Sequence, residues 1–171
     1  PEAWGGERRK PKICIVGGGF GGLYTALRLS TLVWKESTKP EITLVDKSDR
    51  FVFKPLLYEY LTDELELDEV APRFTDVLQR SGVAFVQGQV AGVTRSGEDA
   101  APGGEAGGGT VALQGGRELE YDYLVIAFGS GTRLDLVPGA KEFAQPFCTL
   151  SDAVALRSYL RTAESQGGEG K

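Results

Sequence analysis

Gly17-Gly18-Gly19-Phe20-Gly21-Gly22 fits the spacing G-x-G-x-x-G, with Gly17, Gly19 and Gly22 at the fixed positions. That spacing permits one particular chemistry, the cradling of a pyrophosphate by backbone N–H groups. The first glycine allows a tight turn, the second lets phosphate oxygens approach the main chain, and the third lets the following helix pack closely on its strand. Free N–H groups and the dipole at a helix N-terminus favour the negative charge. Asp46 follows Gly22 by 24 residues, close to the spacing at which an acidic side chain holds the ribose hydroxyls of a dinucleotide. With 24 glycines in 171 residues the motif alone is weak, and its surroundings decide the matter.

Those surroundings are a strand on one side and a helix on the other. Ile13-Cys14-Ile15-Val16 is a short apolar, β-branched run of the kind that makes a strand buried on both faces. After the glycines, Leu23, Ala26, Leu27 and Ser30 form an apolar or small face at helical spacing, predicting a helix from Phe20 to Trp34. The polar stretch Lys35 to Pro40 closes it, and Glu41-Ile42-Thr43-Leu44-Val45 makes a second strand that ends at Asp46.

Composition narrows the function classes. The chain has the length of about one domain, 41% hydrophobic and 25% charged residues, and a net charge of −5, which gives no footprint for nucleic acid. Arg8-Arg9-Lys10 is read as solvated. No apolar run approaches the roughly 18 residues needed to cross a bilayer. Cys14 and Cys148 build neither a disulfide framework nor a metal site, and there is no histidine. Both cysteines are read as structural.

Further along, Phe51, Phe53 and Tyr58 are expected in the core, and Pro55 opens a short helix with Leu57, Tyr58 and Leu61 on one side. The acids Asp63, Glu64, Glu66, Asp68 and Glu69 are read as a solvated face. Pro72 to Arg80 is a further helix and Val83 to Val86 a third strand. From Gly97 to Gly116 eight of 20 residues are glycine, which reads as a flexible insertion in a β-hairpin, with Thr110 to Leu113 as the returning strand. Leu124-Val125-Ile126-Ala127 is a buried-strand run ending in a second glycine-bearing turn, Phe128 to Gly131. Ligands of open α/β sheets bind at such strand ends. A last helix begins near Thr149 or Ser151, with Val154, Leu156 and Leu160 apolar. The organisation expected is a lead-in over 1–10, one Rossmann-like α/β domain over 11–163 with a parallel sheet and an inserted hairpin or meander, and a linker over 164–171.

The strand–GxGxxG–helix, Asp46, and Tyr121-Asp122-Tyr123-Leu124-Val125-Ile126-Ala127-Phe128-Gly129 together resemble the flavoproteins with two dinucleotide folds. Their second motif, Y-D-x-L-v-x-A-t-G, returns the chain to FAD; here Phe128 stands where threonine is common. Phe53-Lys54-Pro55-Leu56-Leu57-Tyr58-Glu59 and the stretch Val137 to Ala153 resemble the type II NAD(P)H:quinone oxidoreductases. With Lys54 and the helix start at Ala71-Pro72-Arg73-Phe74, the plastid and cyanobacterial branch that reduces demethylphylloquinone or plastoquinone is the most similar.

The resemblance implies an FAD enzyme that takes hydride from NADH or NADPH and passes two electrons to a quinone. The cofactor supplies the chemistry, so no catalytic side chain or metal ligand is expected. The implied cofactor-binding residues are Gly17, Gly19, Phe20, Gly21 and Gly22, with Asp46, Ala127 and Gly129. Lys54 is placed near the flavin ring or at the surface, Lys47 near the adenosine phosphate or in solvent, and the Val90 backbone against adenine. No second GxGxxG follows Leu113, so an NAD(P)H-binding domain and a membrane-touching C-terminal part are expected to be missing. A chloroplast location is implied, with a mitochondrial membrane or the bacterial cytoplasmic side as the other choices, and a homodimer is left open. Two other readings remain: a ferredoxin- or rubredoxin-reductase-type flavoprotein, and a non-catalytic dinucleotide-binding module.

Overall fold

The structure is a computed structural model that describes residues 9–96 and 107–167. In chain order the elements are β1 (Lys12–Val16), α1 (Phe20–Thr31), β2 (Glu41–Asp46), α2 (Leu57–Leu61), α3 (Leu67–Val70), α4 (Phe74–Leu78), β3 (Ala84–Gln87), β4 (Val90–Arg95), β5 (Gly109–Leu113), β6 (Glu118–Tyr121), β7 (Tyr123–Ile126), α5 (Ala140–Phe143) and α6 (Leu150–Gly167). They form two compact units, one of residues up to Asp49 with Phe74–Gly129, the other of Arg50–Arg73 with Ser130 onward.

The first unit is a parallel sheet of order β3-β2-β1-β7 with an antiparallel meander, β4-β5-β6, inserted between β3 and β7. This is the expected α/β fold. Successive residues of β1 serve opposite faces. Cys14 and Val16 join Val111, Leu113 and Tyr121 of the meander in one buried cluster, while Ile15, fully buried, lies beneath Gly22 of α1. The hairpin expected across the glycine-rich stretch is present as β4 and β5, paired antiparallel with an irregularity between Val90 and Gly92. The core of that insertion, residues 97–106, lies outside the described residues, as do 1–8 of the lead-in and 168–171 of the tail.

Several boundaries differ from expectation for local reasons. Helix α1 stops at Thr31, not Trp34. Ser30 and Thr31 hydroxyls donate back to the Leu27 and Arg28 carbonyls, and the Trp34 indole N–H donates to Leu29 O at 2.9 Å. Side chains thus take over acceptors that a longer helix would use. The helix expected from Pro72 to Arg80 is confined to Phe74–Leu78. Strand β7 is not buried: it is an outer strand of the sheet, and Tyr123 and Ile126 are exposed.

In the second unit, a 3-10 turn over Lys54–Leu56 precedes α2. The buried face of α2 is Leu57 and Tyr60, whereas Tyr58, expected inside, is 55% exposed. Leu57, Tyr60 and Val70 pack with Ala153 of α6. The α6 cap is at Thr149, whose hydroxyl accepts from Asp152 N while the Asp152 carboxylate accepts from Thr149 N, a reciprocal pair that uses two orphan donors. Residues up to Gly167 continue α6. Cys148 is exposed and so not part of a core.

The acids of the acidic stretch are all exposed, as expected of a solvated face, and four of them also have partners. Glu66 and Glu69 make a capping box around α3, and Asp68 pairs with Arg50 at 2.6 Å. Asp63 receives Arg157 and Arg161.

Candidate cofactor site

The glycine turn links the end of β1 to the start of α1. Gly17 has φ +102°, and its amide donates to Val45 O at 2.8 Å. A Cβ there would stand 2.2 Å from the Ala127 carbonyl oxygen, so the two turns predicted to share a ligand do converge. Ala127 N also donates to Val16 O at 2.8 Å, and Gly21 faces the Ala127 methyl. At Gly22 a Cβ would meet Gly17 O at 1.7 Å, which is the helix–strand closeness the motif calls for.

Gly19 is different. An added Cβ meets no atom within 4 Å beyond its own turn, so the space in front of it is open. Gly19 is the N-cap of α1, with no side-chain cap and no acidic residue in the first turn. The first N–H groups of a helix have no intrahelical acceptor. An uncapped 12-residue helix start facing open space therefore suits a phosphate group, and a Cβ at Gly19 would fill that space.

Asp46 closes one side. Its carboxylate accepts from Gly18 N at 2.6 Å and Ser48 N at 2.8 Å, one bond on each oxygen. Each oxygen keeps a second lone pair for a ribose hydroxyl. Gly18 earns no place in the three-glycine pattern, yet a Cβ on it would sit 2.3 Å from the Phe74 ring. Phe74 is wholly buried and stacks on Phe85 at 4.7 Å. Sequence reasoning missed this pair as site residues; the only trace of it is the unbroken glycine run.

The other expected residues divide. Lys47 is exposed, and its carbonyl accepts from the Gln87 amide at 3.2 Å. Gly129, with φ +71°, is exposed beside Phe128, which is itself 60% exposed. Phe20 is exposed and stacks on Tyr24, with ring centroids 6.0 Å apart. Val90 opens β4 opposite Leu113 and packs on the buried cluster. Lys54 belongs to the second unit, where it is exposed at the head of the 3-10 turn.

Asp122, the acid of the second motif, is a structural pin. It accepts from Lys12 N at 2.7 Å and from both Arg9 terminal nitrogens at 2.5 and 2.9 Å, tying the start of β7 to the start of β1. Burial opposes its ionisation, but the Lys12 amide and the Arg9 guanidinium prevail and hold its carboxyl below the usual range. Cys14 is buried at 2% exposure, and burial pushes its thiol pKa up to about 11, which disfavours the reactive thiolate. In the first unit a cavity near 470 Å³ lies at the Lys12 and Glu41 ends of β1 and β2, opposite the strand ends that carry the glycine turn, and in the second unit one near 490 Å³ lies along Tyr60 and α6.

A strand–glycine turn–helix at the C-terminal edge of a parallel sheet, met there by a second turn and an acidic side chain, defines a dinucleotide-binding α/β domain. The pyridine nucleotide-disulphide oxidoreductase family model matches residues 11–165, and the chain belongs to that family. It is 49% identical over 160 residues to the alternative NAD(P)H-ubiquinone oxidoreductase C1, chloroplastic/mitochondrial, of Arabidopsis thaliana, covering 92% of this chain and 31% of that protein. It is 43% identical to the demethylphylloquinone reductase NdbB of Synechocystis, covering 94% of this chain and 38% of that one. Among solved structures, the Aquifex aeolicus sulfide:quinone oxidoreductase superimposes with a TM-score of 0.69 at 23% identity, covering 91% of this chain and 32% of the other. The chain spans about a third of the length of the curated relatives it matches.

Proposed function

We propose that this chain is the FAD-binding portion of a type II NAD(P)H:quinone oxidoreductase. The observation that carries the reading is the approach of the Ala127 carbonyl to Gly17, which brings two main-chain turns to one open rim at the start of α1. When bound, FAD supplies the two-electron chemistry between a reduced nicotinamide and a quinone. The N–H groups at the start of α1 hold the pyrophosphate, Asp46 takes ribose hydroxyls on its unused lone pairs, and the Ala127–Gly129 turn adds main-chain contacts. Lys54 supplies a cation to the flavin ring, a role that rests on the Phe53–Glu59 run alone. The branch that reduces demethylphylloquinone is favoured by the name of the Synechocystis relative, while the Arabidopsis relative is named for ubiquinone; a plastid location agrees with the latter's name, which gives chloroplast and mitochondrion together. We assign the NAD(P)H-binding part and the peripheral membrane contact of such an enzyme to the two thirds of the relatives' length that this chain does not span, and a homodimer stays open.

Absorption spectroscopy after reconstitution with FAD tests the reading. The expected result is a protein-bound flavin band at one flavin per chain, with no steady-state NADH or NADPH:quinone turnover. Failure to take up flavin, or turnover at the rate of a complete enzyme, would contradict it.

A further inference from the structure

Within the second unit, two arginines one helical turn apart on α6 converge on a single carboxylate. Arg157 and Arg161 both donate to Oδ1 of Asp63, Arg161 at 2.7 Å. Each guanidinium carries five N–H donors, so one aspartate leaves both a positive charge and many donors in surplus. In a chain of net charge −5 that local surplus stands out. The guanidinium of Arg157 also lies over the Tyr60 ring at 4.3 Å, and its Nε is buried without an acceptor among the described residues.

Asp63 itself is unusual. It is the one non-glycine residue with positive φ, +64°, among the described residues. It stands just past the end of α2, and the next amide, Glu64 N, closes back on Glu59 O at 2.9 Å. Helix ends of this shape ordinarily place glycine at that position. An aspartate there accepts a backbone penalty and sets a carboxylate against the arginines.

Beside this latch is a cleft of about 490 Å³ whose wall includes Tyr60, Val154, Arg157, Ser158 and Arg161. Tyr60 and Val154 give it an apolar side. Arg161, 60% exposed, and the Ser158 hydroxyl, which has no partner among the described residues, give it donors one turn apart on α6.

We propose that this cleft binds the phosphate group of an amphiphilic phosphate monoester, held by Arg161 and Ser158 with Arg157 behind them, its apolar part against Tyr60 and Val154. The ester is either a soluble one or a lipid headgroup, since both present the same oxygens. Asp63 occupies the arginines when the ester is absent. The inference does not depend on the flavin reading, because no residue of the glycine turn takes part.

Calorimetric titration of the 171-residue chain with phenyl phosphate, and co-sedimentation with phosphatidylcholine vesicles with and without phosphatidic acid, test it. The result expected is saturable one-to-one binding that phenol does not reproduce. Arg161→Gln should weaken it about tenfold or more, the effect of losing a charge-assisted bond, and Ser158→Ala should weaken it several-fold. Arg161 is exposed enough for its replacement to leave the fold intact, and melting curves check that. Binding of phenyl phosphate identifies a soluble ester, and binding only to phosphatidic-acid vesicles identifies a lipid; either result supports the site if Arg161→Gln weakens it about tenfold or more. Absence of both, or binding that neither substitution alters, overturns it.

Discussion

Gly19 and Gly22 belong to one motif, but alanine at each should fail in opposite ways. At Gly22 a new Cβ would stand 1.7 Å from Gly17 O, a backbone atom that cannot turn aside. The cost is at or above the upper end of the ~1–3 kcal/mol usual for overpacking. At Gly19, φ is −70° and the Cβ meets nothing within 4 Å beyond its own turn. Alanine is a poorer N-cap than glycine by about 0.5–1.5 kcal/mol. Its stiffer unfolded chain offsets about 0.4–1 kcal/mol of that. The net change is ~1 kcal/mol or less, a shift in Tm of about 2–4 °C at most for a chain of this size. The methyl group nevertheless fills the space proposed for the pyrophosphate. Loss of one charge-assisted backbone bond there, about 1.5–3 kcal/mol, weakens FAD about ten- to a hundredfold. Melting curves without ligand and quenching of FAD fluorescence report the two effects separately. Gly19→Ala should melt like the parent and bind FAD poorly, while Gly22→Ala should lose stability first. Parent-like FAD affinity in Gly19→Ala, or destabilisation equal to that of Gly22→Ala, would refute the assignment of the open space to a phosphate.

Other outcomes follow from the same geometry. Phe74→Ala removes a wholly buried ring stacked on Phe85 and set against Gly18, and should cost about 3–5 kcal/mol in urea unfolding. Asp122 has a lowered folded pKa, so its stabilisation is present above the ordinary carboxylate value of about 3.9 and is lost as pH falls through the lower folded value. Asp122→Asn should therefore flatten the acid limb of a stability–pH curve below about pH 4, leaving the slope near neutrality unchanged. A thiol reagent at pH 8 should modify Cys148 and spare Cys14, whose pKa is raised to about 11, until the chain is unfolded. Mass spectrometry of the labelled protein counts the modified sites.

What could be read in the sequence was whatever depends on near neighbours. The apolar run before Gly17 and the small face of Leu23 and Ala26 place β1 and α1 because strand and helix periods are local properties. The meander was legible in the same way, from Thr110 to Leu113 returning after a glycine-rich gap. The exposure of β7 was not legible, since an apolar run reads alike whether one or both of its edges have partners. The acids from Asp63 to Glu69 are exposed, as read; what stayed hidden were the remote partners of two of them, Arg157 lying 94 residues from Asp63 and Arg50 lying 18 from Asp68. Gly18 escaped notice for a related reason, its contacts being Asp46, 28 residues on, and Phe74. Tyr58, expected inside, is exposed because the 3-10 turn at Lys54–Leu56 sets the phase of α2 so that Leu57 and Tyr60 face inward.

A crystal structure of the chain with FAD tests the central claim most directly. The account predicts the pyrophosphate in front of Gly19, its oxygens within about 2.7–3.2 Å of N–H groups at the start of α1 and in the Ala127–Gly129 turn. FAD held elsewhere, with that rim left to solvent, would contradict it.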